Sequence, residues 1–289
     1  MNEKKQLDDF LKLIDFENDD RMRECTTIKD GHLVLDGQDL NFIDDSTFTH
    51  LPKDLELQFW YGAMPALEII RCHNYKILEY ITVEGNHIYI ESCDNFVEIG
   101  MRVNARGGIE MTNVPMLEKI STDLKVDNFL KISRALLLEE IPLLEYSSCS
   151  VLFDSCPLLK EIPEGFMNGK IEGDLEVRDC LSLEKLPTKL SLTHDLEIEN
   201  CPKLTTLPSE LKIGGGLYLK TKNPITTLPE GLLVKGDAAL MGCTFASLPK
   251  KVEIGGNIYI HPEIDKDILD WIKAWKDQGM IKGEIKFST

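Results

Sequence analysis

An apolar-x-apolar core recurs along the chain at an almost constant spacing. In the C-terminal half its first apolar residues are separated by steps of 21, 21, 21 and 20 residues, at Leu175, Leu196, Leu217, Ala238 and Ile258. A fixed period in this range is typical of repeat architectures, in which one unit cannot bury its apolar side alone. Each core therefore predicts a short strand whose two aliphatic side chains enter a core shared with neighbouring repeats.

The same period extends toward the N-terminus. Five further cores follow one another at steps of 21 residues, at Leu67, Ile88, Ile109, Leu130 and Val151. The step from Val151 to Leu175 is 24 residues, so we place a loop insertion of three residues around 167–170, on the side away from the strands. The sequence thus predicts ten strands in register.

Each core continues into a second pattern, which is clearest in residues 196–208, LEIENCPKLTTLP. A Leu-Pro pair recurs at Leu186, Leu207, Leu228 and Leu248. These motifs resemble the leucine-rich repeat, in the short form of about 21 residues found in bacterial proteins that include secreted effectors. The resemblance implies an α/β repeat solenoid, a curved horseshoe with a parallel β-sheet on its concave face. It also implies a mostly irregular or short-helical convex side, and terminal helices that cap the array.

The repeat pattern covers residues 67–262, and the segment before it is less regular. Apolar runs at 32–35 and 51–57 look repeat-like but are out of phase with the later strands. Residues 31–66 are therefore predicted to be degenerate first repeats.

Residues 1–30 and 263–289 are predicted to cap the two ends of the array, because terminal repeats need a covering element. Helical spacing in the N-terminal segment involves Leu7, Phe10 and Leu11. In the C-terminal segment, the residues predicted to lie near one face of an amphipathic helix are Ile268, Leu269, Trp271, Ile272 and Trp275. Alternation at 284–287 predicts one short final strand.

The charge of the chain limits the classes of partner that it can bind. Its 49 acidic and 32 basic residues give a formal net charge of −17. Such a field repels phosphate backbones and anionic membrane surfaces within about a Debye length. We therefore expect neither nucleic acid nor membrane as a partner, and a protein with a basic surface, or with a mixed surface anchored by aromatic residues, fits the field better. The alternative is that the acidic charge serves only the solubility of the chain.

The N-terminal residues and the cysteines indicate a reducing compartment. The first residues, MNEKKQLDD, contain no apolar segment of a secretory signal, and no run of about 18 uncharged apolar residues occurs. Disulfide frameworks are typical of small secreted domains, so the eight cysteines are expected to be reduced. The expected location is the cytoplasm, or the cytosol of a host if a specialised secretion system exports the protein.

Six cysteines share one position in the repeat, three residues beyond the second strand aliphatic. They are Cys72, Cys93, Cys156, Cys180, Cys201 and Cys243. Zinc sites commonly use close spacings such as CxxC, which the sequence lacks. A ladder of small buried groups is therefore predicted rather than a metal or redox site, because free cysteine behaves as a small hydrophobe. Cys25 and Cys149 lie off this ladder and would be the first thiols to test for reactivity.

Glycine and aspartate recur just before the strands, at Gly173, Gly215, Gly236 and Gly256 and at Asp174, Asp195 and Asp237. The glycines are predicted to allow backbone dihedrals that other residues avoid. The aspartates are predicted to serve turns, because the nonapeptide of calcium-binding β-rolls is absent. The glycine run at 214–216 lacks the Lys-Ser/Thr of a phosphate-binding loop.

Residues between and just after the strand aliphatics point away from the core and form two stripes on the predicted concave face. The candidate partner-binding residues are Tyr89, Glu176, Glu197, Tyr218 and Tyr259 in the first stripe and Arg178, Glu199, Lys220 and Met241 in the second. Large amphipathic side chains on an exposed sheet are typical interface anchors, which favours the cluster of Tyr218, Met241 and Tyr259. The alternative is that the C-terminal helix folds over this cluster.

Charged residues occupy the middle of both stripes. Four residues of the second stripe alternate in sign on adjacent strands, namely Asp154, Arg178, Glu199 and Lys220. Cross-strand pairs of this kind are stabilising, whereas the adjacent Glu176 and Glu197 repel each other. Arg178 and Lys220 are near enough to reduce that repulsion. We interpret the two carboxylates as solvated charge or as a site for a partner's Lys or Arg.

These features favour a non-enzymatic protein-binding scaffold, used as a bacterial effector or an adaptor, with no catalytic residue, cofactor or metal expected. One alternative is a thiol-dependent ubiquitin ligase, because some similar bacterial repeat effectors carry such a domain after their repeats. Only 27 residues (263–289) follow the last repeat, too few for that domain. The other alternative is a detached sensor or specificity module of an immune-type receptor, which the Leu-x-Ile-x-x-Cys-x-x-Leu-x-x-Leu-Pro pattern also resembles.

Overall fold

The computed structural model describes residues 3–13, 20–29, 32–59, 64–144, 150–220, 225–241 and 243–288. The chain divides into two compact units, residues 1–131 and 132–289. In each unit short strands stack in parallel to form the coils of a β-solenoid. Leu67 pairs with Ile88, and Leu175 pairs with Leu196, which confirms the predicted step of 21 residues.

The helices of the first unit are α1 (Glu3–Leu13) and α2 (Asp20–Cys25). Its strands are β1 (Thr26–Lys29), β2 (His32–Asp36), β3 (Leu40–Ile43), β4 (Leu55–Phe59), β5 (Leu67–Ile70), β6 (Ile77–Leu78), β7 (Ile81–Gly85), β8 (Ile88–Glu91), β9 (Glu98–Ile99), β10 (Val103–Ala105), β11 (Ile109–Thr112), β12 (Lys119–Ile120) and β13 (Lys125–Val126). The strand orders are β1-β2-β4-β7-β10-β13, β3-β5-β8-β11 and β6-β9-β12. β1 pairs antiparallel with β2, and the later pairs are parallel. The division between the units falls within β14 (Phe129–Ser133).

The strands of the second unit are β15 (Ser150–Asp154), β16 (Lys170–Ile171), β17 (Leu175–Arg178), β18 (Ser191–Leu192), β19 (Leu196–Glu199), β20 (Lys212–Ile213), β21 (Leu217–Lys220), β22 (Leu232–Val234), β23 (Ala238–Ala239), β24 (Val252–Ile254), β25 (Ile258–Ile260) and β26 (Ile285–Phe287). A short 3₁₀ turn spans Phe166–Gly169, and α3 spans Lys266–Asp277. The face sheet has the order β15-β17-β19-β21-β23-β25-β26, and the return sheet has the order β16-β18-β20-β22-β24.

The return sheet differs from the irregular or short-helical side that the sequence predicts. Its strands are only two or three residues long, and each contributes a buried aliphatic residue at the repeat step, at Ile171, Leu192, Ile213, Val234 and Ile254. The residue before each of these is exposed or half-buried, which is the alternation of a strand with one buried side. The expected insertion of three residues is confirmed, because Val151 pairs with Leu175 and the 3₁₀ turn lies between them.

The strands before residue 67 belong to two different sheets, since β2 and β4 lie in one and β3 lies in the other. Leu33 pairs with Leu55, whereas Leu40 pairs with Leu67. The runs at 32–35 and 51–57 are therefore strands of the sheet that contains β7, which is why they are out of phase with the strands that begin at Leu67.

The C-terminal helix α3 begins after Asp265, whose carboxylate accepts hydrogen bonds from the N–H groups of Asp267 (2.8 Å) and Ile268 (3.4 Å). Ile268, Ile272 and Trp275 are buried along one stripe at i, i+4 and i+7. Trp271, three residues after Ile268, lies at the edge of this face and is 40% exposed.

In the N-terminal segment predicted as a helical cap, α1 and α2 precede strand β1, which lies at Thr26–Lys29. Phe10 and Leu11 of α1 are buried. The predicted final strand is confirmed, since Ile285 of β26 pairs with Ile258 of β25. Among the described helices, none has the length and apolarity needed to cross a membrane.

The glycines before the strands serve close packing and not the unusual dihedrals that the sequence suggests. Gly173, Gly215, Gly236 and Gly256 all lack a positive φ. A Cβ atom on Gly236 would lie 2.8 Å from the carbonyl carbon of Gly215, and one on Gly256 would lie 2.8 Å from that of Gly236. The N–H of Gly236 donates to the Gly215 carbonyl at 2.7 Å. Glycine is therefore required because the backbones of adjacent coils approach closely here.

The positive φ values occur instead just after the face strands. Residues at this position have φ of 50 to 55°, among them Arg71, Ser92, Asn113, Asp179 and Asn200. At these positions the chain leaves its strand through a left-handed residue that is not glycine.

The aspartates before the strands have the turn role that the sequence predicts. The Asp195 carboxylate accepts the N–H of Gly216 at 2.6 Å, and that of Asp237 accepts the N–H of Asn257 at 2.6 Å. Each bond ties a turn to the turn of the next coil.

The cysteine ladder is buried, as predicted, at Cys72, Cys93, Cys156, Cys180 and Cys201, while Cys243 is only half-buried. The Cys201 Sγ lies 3.4 Å from the carbonyl oxygen of Glu199 and 3.7 Å from that of Val177 on the neighbouring coil. Burial raises the pKa of the Cys93 and Cys201 thiols to about 11. These thiols are therefore protonated donors to backbone carbonyls, which suits a structural role.

Candidate functional site

All nine candidate residues are half-buried. Tyr89 lies in the first unit, and the other eight lie in the second unit. Burial alternates strictly along β17, β19 and β21, so the candidate side chains project from the outer side of the face sheet.

Four charged side chains of the face sheet form one ionic network across three strands. Arg178 pairs with Glu176 on its own strand, and its Nε lies 2.9 Å from a carboxylate oxygen of Glu197 on β19. The Lys220 Nζ lies 2.8 Å from the other carboxylate oxygen of Glu197. The repulsion expected between Glu176 and Glu197 is thus relieved by the arginine between them.

Glu197 is the centre of this network. Its side chain is 14% exposed, against 36% for Arg178 and 43% for Lys220. Burial alone raises the pKa of Glu197, but the hydrogen bonds and charges of Lys220 and Arg178 outweigh burial and lower it. Glu197 is therefore ionised at neutral pH, and both of its oxygens are occupied.

The cross-strand pairs expected within the second stripe do not form. Glu199 lies directly opposite Arg178 and Lys220 in the strand register. Both cations turn instead to Glu197, and the Glu199 carboxylate forms no ion pair with any residue that the structure describes. Of the predicted acidic candidates, Glu199 is the one whose carboxylate forms no ion pair with a described residue.

Tyr218 packs partly against its own backbone. A Cβ atom on Gly216 would lie 2.6 Å from the Tyr218 hydroxyl and 2.7 Å from the ring, so the ring folds back over this glycine. Burial, together with the negative charges of Asp195 and Asp237, raises the pKa of Tyr218. The aromatic surface remains half-buried and presents one side to solvent.

Tyr259 lies on β25, opposite Lys286 of the final strand. The Lys286 Nζ lies 5.4 Å from the centre of the Tyr259 ring, a cation–π distance. Ala239 stands between Tyr218 and Tyr259 in the register and leaves the two rings separated by a small side chain.

A cavity of about 490 Å³ opens beside Met241, at the end of the face sheet. Its lining residues are Leu240, Met241, Cys243, Thr244, Phe245, His261, Glu263, Ile264, Asp265 and Ile268. Ile268 belongs to α3, so this helix reaches the Met241 end of the candidate cluster. The volume lies in the range of about 300–1,000 Å³ that is typical of ligand pockets.

The remaining candidate, Tyr89, has acidic neighbours in the first unit. Its hydroxyl donates to Glu91 at 3.0 Å, and burial together with this bond raises the pKa of Tyr89 to about 12. Burial and the charges of Asp39 and Glu91 raise the pKa of Glu68. Tyr89 is thus held by its hydrogen bond in an acidic environment.

The sequence did not identify the cavity residues beyond Met241. The signal available was the last repeat step, which is 20 residues instead of 21. Of the two thiols considered for reactivity, Cys25 is half-buried, and Cys149 lies outside the described residues. No group of three or more His, Cys, Asp or Glu residues in the described ranges is placed to hold a metal ion.

Comparison with protein-family models, with curated proteins and with solved structures finds no match to this chain.

Proposed function

We propose that the protein is a non-enzymatic scaffold that binds a protein partner on the outer side of the face sheet in the second unit. The observation that carries this proposal is the cluster of Tyr218, Met241 and Tyr259, large side chains that remain half-buried on a sheet whose other side is packed. Aromatic and methionine side chains in such positions are enriched at interfaces. The Glu199 carboxylate, which forms no ion pair with a described residue, favours a partner with a basic surface.

The finer identity of the fold belongs to the same proposal. The residue pattern at 196–208 supports leucine-rich repeats of the bacterial short type, with the face sheet on a concave side. Protonated, buried ladder thiols support a role without catalysis. A reduced state suits a cytoplasmic protein, or an effector in a host cytosol.

The test uses the full chain as bait, with a partner identified by cross-linking and then purified for titration calorimetry. The double variant Glu199→Lys with Tyr259→Ala is expected to weaken binding by a factor of about 30, because the two changes are expected to cost about 1 kcal/mol each. Glu197 and Tyr218 are unsuitable for replacement, since one holds two cations and the other covers Gly216.

Glu253→Lys is the matched control, because Glu253 is an exposed acidic residue of the return sheet. It should leave the affinity unchanged. Equal affinities for wild type and the double variant would show that the partner does not bind the face sheet. If only the control loses affinity, the partner binds the return sheet.

A further inference from the structure

The cavity beside Met241 exists because the last coil breaks the repeat. The ladder position of this coil is occupied by Glu263, which is exposed, so no small buried residue stacks on Cys243. The chain instead enters α3 directly after Asp265. The thiol that is buried in five other coils is therefore only half-buried here.

The coil before it, residues 238–257, is one residue shorter than the preceding coils, and this shortening contributes to the same opening. The N–H of Ala246 donates to the carbonyl of Thr226 at 2.9 Å, which places Phe245 at the level of Ile225. Ile225 is fully buried, whereas Phe245 is half-buried and lines the cavity. An apolar layer that is closed in the preceding coil is thus open to solvent in this one.

The chemistry of the walls defines what the cavity can accept. Met241, Phe245 and Ile264 present half-buried apolar surface. At the rim, Glu263 is exposed and its carboxylate forms no ion pair with a described residue, while Asp265 is engaged by the first turn of α3. An apolar insert flanked by positive charge complements such a site.

We propose that this cavity is the anchor pocket for a protein segment that carries two adjacent large aliphatic side chains between lysines or arginines. The proposal rests on the proposed function and names the partner chemistry at one end of the same surface, since Met241 belongs to both. The volume exceeds what a single aliphatic side chain fills, which is why two are expected.

The test measures binding of two fluorescein-labelled peptides, KKLLKK and KKSSKK, to the full chain by fluorescence anisotropy. The leucine peptide is expected to bind at least about 10-fold more tightly, because it buries apolar surface that the serine peptide lacks. Thr244→Trp places a ring in the cavity and should abolish the preference. Ser247→Trp, at an exposed residue outside the lining, should retain it.

Two further measurements are an NMR titration of the wild type, which does not depend on how any variant folds, and a charge change at the rim of the cavity. On the wild type, methyl NMR shifts upon addition of the leucine peptide should appear at Met241, Ile264 and Ile268 and not at Ile171 of the return sheet. Glu263→Lys should weaken both peptides, whereas Glu253→Lys should weaken neither. Equal affinity for the two peptides, or methyl shifts confined to other residues, would overturn the proposal.

A dimer in sedimentation that Thr244→Trp dissociates would assign the cavity to a second copy of the chain and would also overturn the proposal. The failure of the proposed function is distinguishable. If a partner depends on Glu199 and Tyr259 while neither peptide binds, the pocket fails alone. If the leucine peptide binds and no partner uses the face sheet, the scaffold proposal fails alone.

Discussion

The aromatic stack of the first unit contains a polar atom that its surroundings do not satisfy. Phe42, Phe48, Tyr75 and Phe96 stack in order, with ring centres 3.8, 5.0 and 5.8 Å apart. The Tyr75 hydroxyl is buried and has no hydrogen-bond partner among the described residues. Burial of such a group without a partner costs about 1–3 kcal/mol.

Tyr75→Phe is therefore expected to raise the free energy of unfolding by about 1 kcal/mol, because it removes the unsatisfied hydroxyl and keeps the stacked ring. Urea denaturation measures the change. The control is Tyr89→Phe, which deletes a hydroxyl that donates to Glu91 and should give no gain. A less stable Tyr75→Phe protein would show that this hydroxyl has a favourable interaction.

At the scale of the elements, the network around Glu197 joins β17, β19 and β21. Glu197→Gln is expected to lower the free energy of unfolding at pH 7 by about 1 kcal/mol, a modest value because Arg178 and Lys220 are partly solvated. Glu199→Gln, on the same strand but without an ion pair, should change it by less than about 0.5 kcal/mol.

The stability difference between wild type and Glu197→Gln is expected to depend on pH. The folded-state pKa of Glu197 lies below its ordinary value of 4.5, so its contribution to stability is fully present above that value. The contribution is lost as the pH falls through the lowered pKa. Wild type and Glu197→Gln should therefore differ in urea midpoint at pH 7 and converge in acid. A difference that persists unchanged at low pH would contradict this role for the carboxylate.

The glycine contacts between coils give a second prediction about the elements. Gly236→Ala should destabilise the protein by about 1–3 kcal/mol, because a Cβ atom there meets the backbone of Gly215. Gly231 is the comparison, since it has φ +76° and open space around it. Asparagine tolerates left-handed dihedrals, so Gly231→Asn should be milder than Gly231→Ala, whereas Gly236→Asn should be no milder than Gly236→Ala. Thermal unfolding of the four variants distinguishes steric contact from dihedral strain.

The elements also show what the sequence could predict. The face strands were predictable because each supplies two aliphatic residues at a fixed step, as at Leu196 and Ile198. The strands of the return sheet were not predicted, because each is only two or three residues long. The ionic network was only partly predicted. Strand register places Glu199 opposite Arg178, but it cannot show that the Arg178 side chain pairs with Glu197 instead. The cavity depends on which side chains a shortened coil leaves uncovered, which periodicity does not specify.

At the scale of the whole molecule, the reactivity of the ladder thiols shows which coils unfold at a given urea concentration. Cys72 and Cys93 lie in the first unit, and Cys156, Cys180 and Cys201 lie in the second, all fully buried. A stack of coils is stabilised by nearest neighbours, so each compact unit can open at its own free energy. We expect these five thiols to resist a maleimide reagent in buffer and to become reactive in urea as two sets, one for each unit.

Peptide mapping by mass spectrometry after a timed pulse of the reagent measures each thiol separately. Cys25, which is half-buried, should react before either set and serve as the internal reference for the reagent. Reaction of all five ladder thiols at one urea concentration would mean that the two units unfold as one cooperative structure. A buried thiol reacts only when the coils on both sides of it separate. If the thiols of one unit become reactive at one urea concentration and those of the other unit at a different one, each unit unfolds with its own free energy.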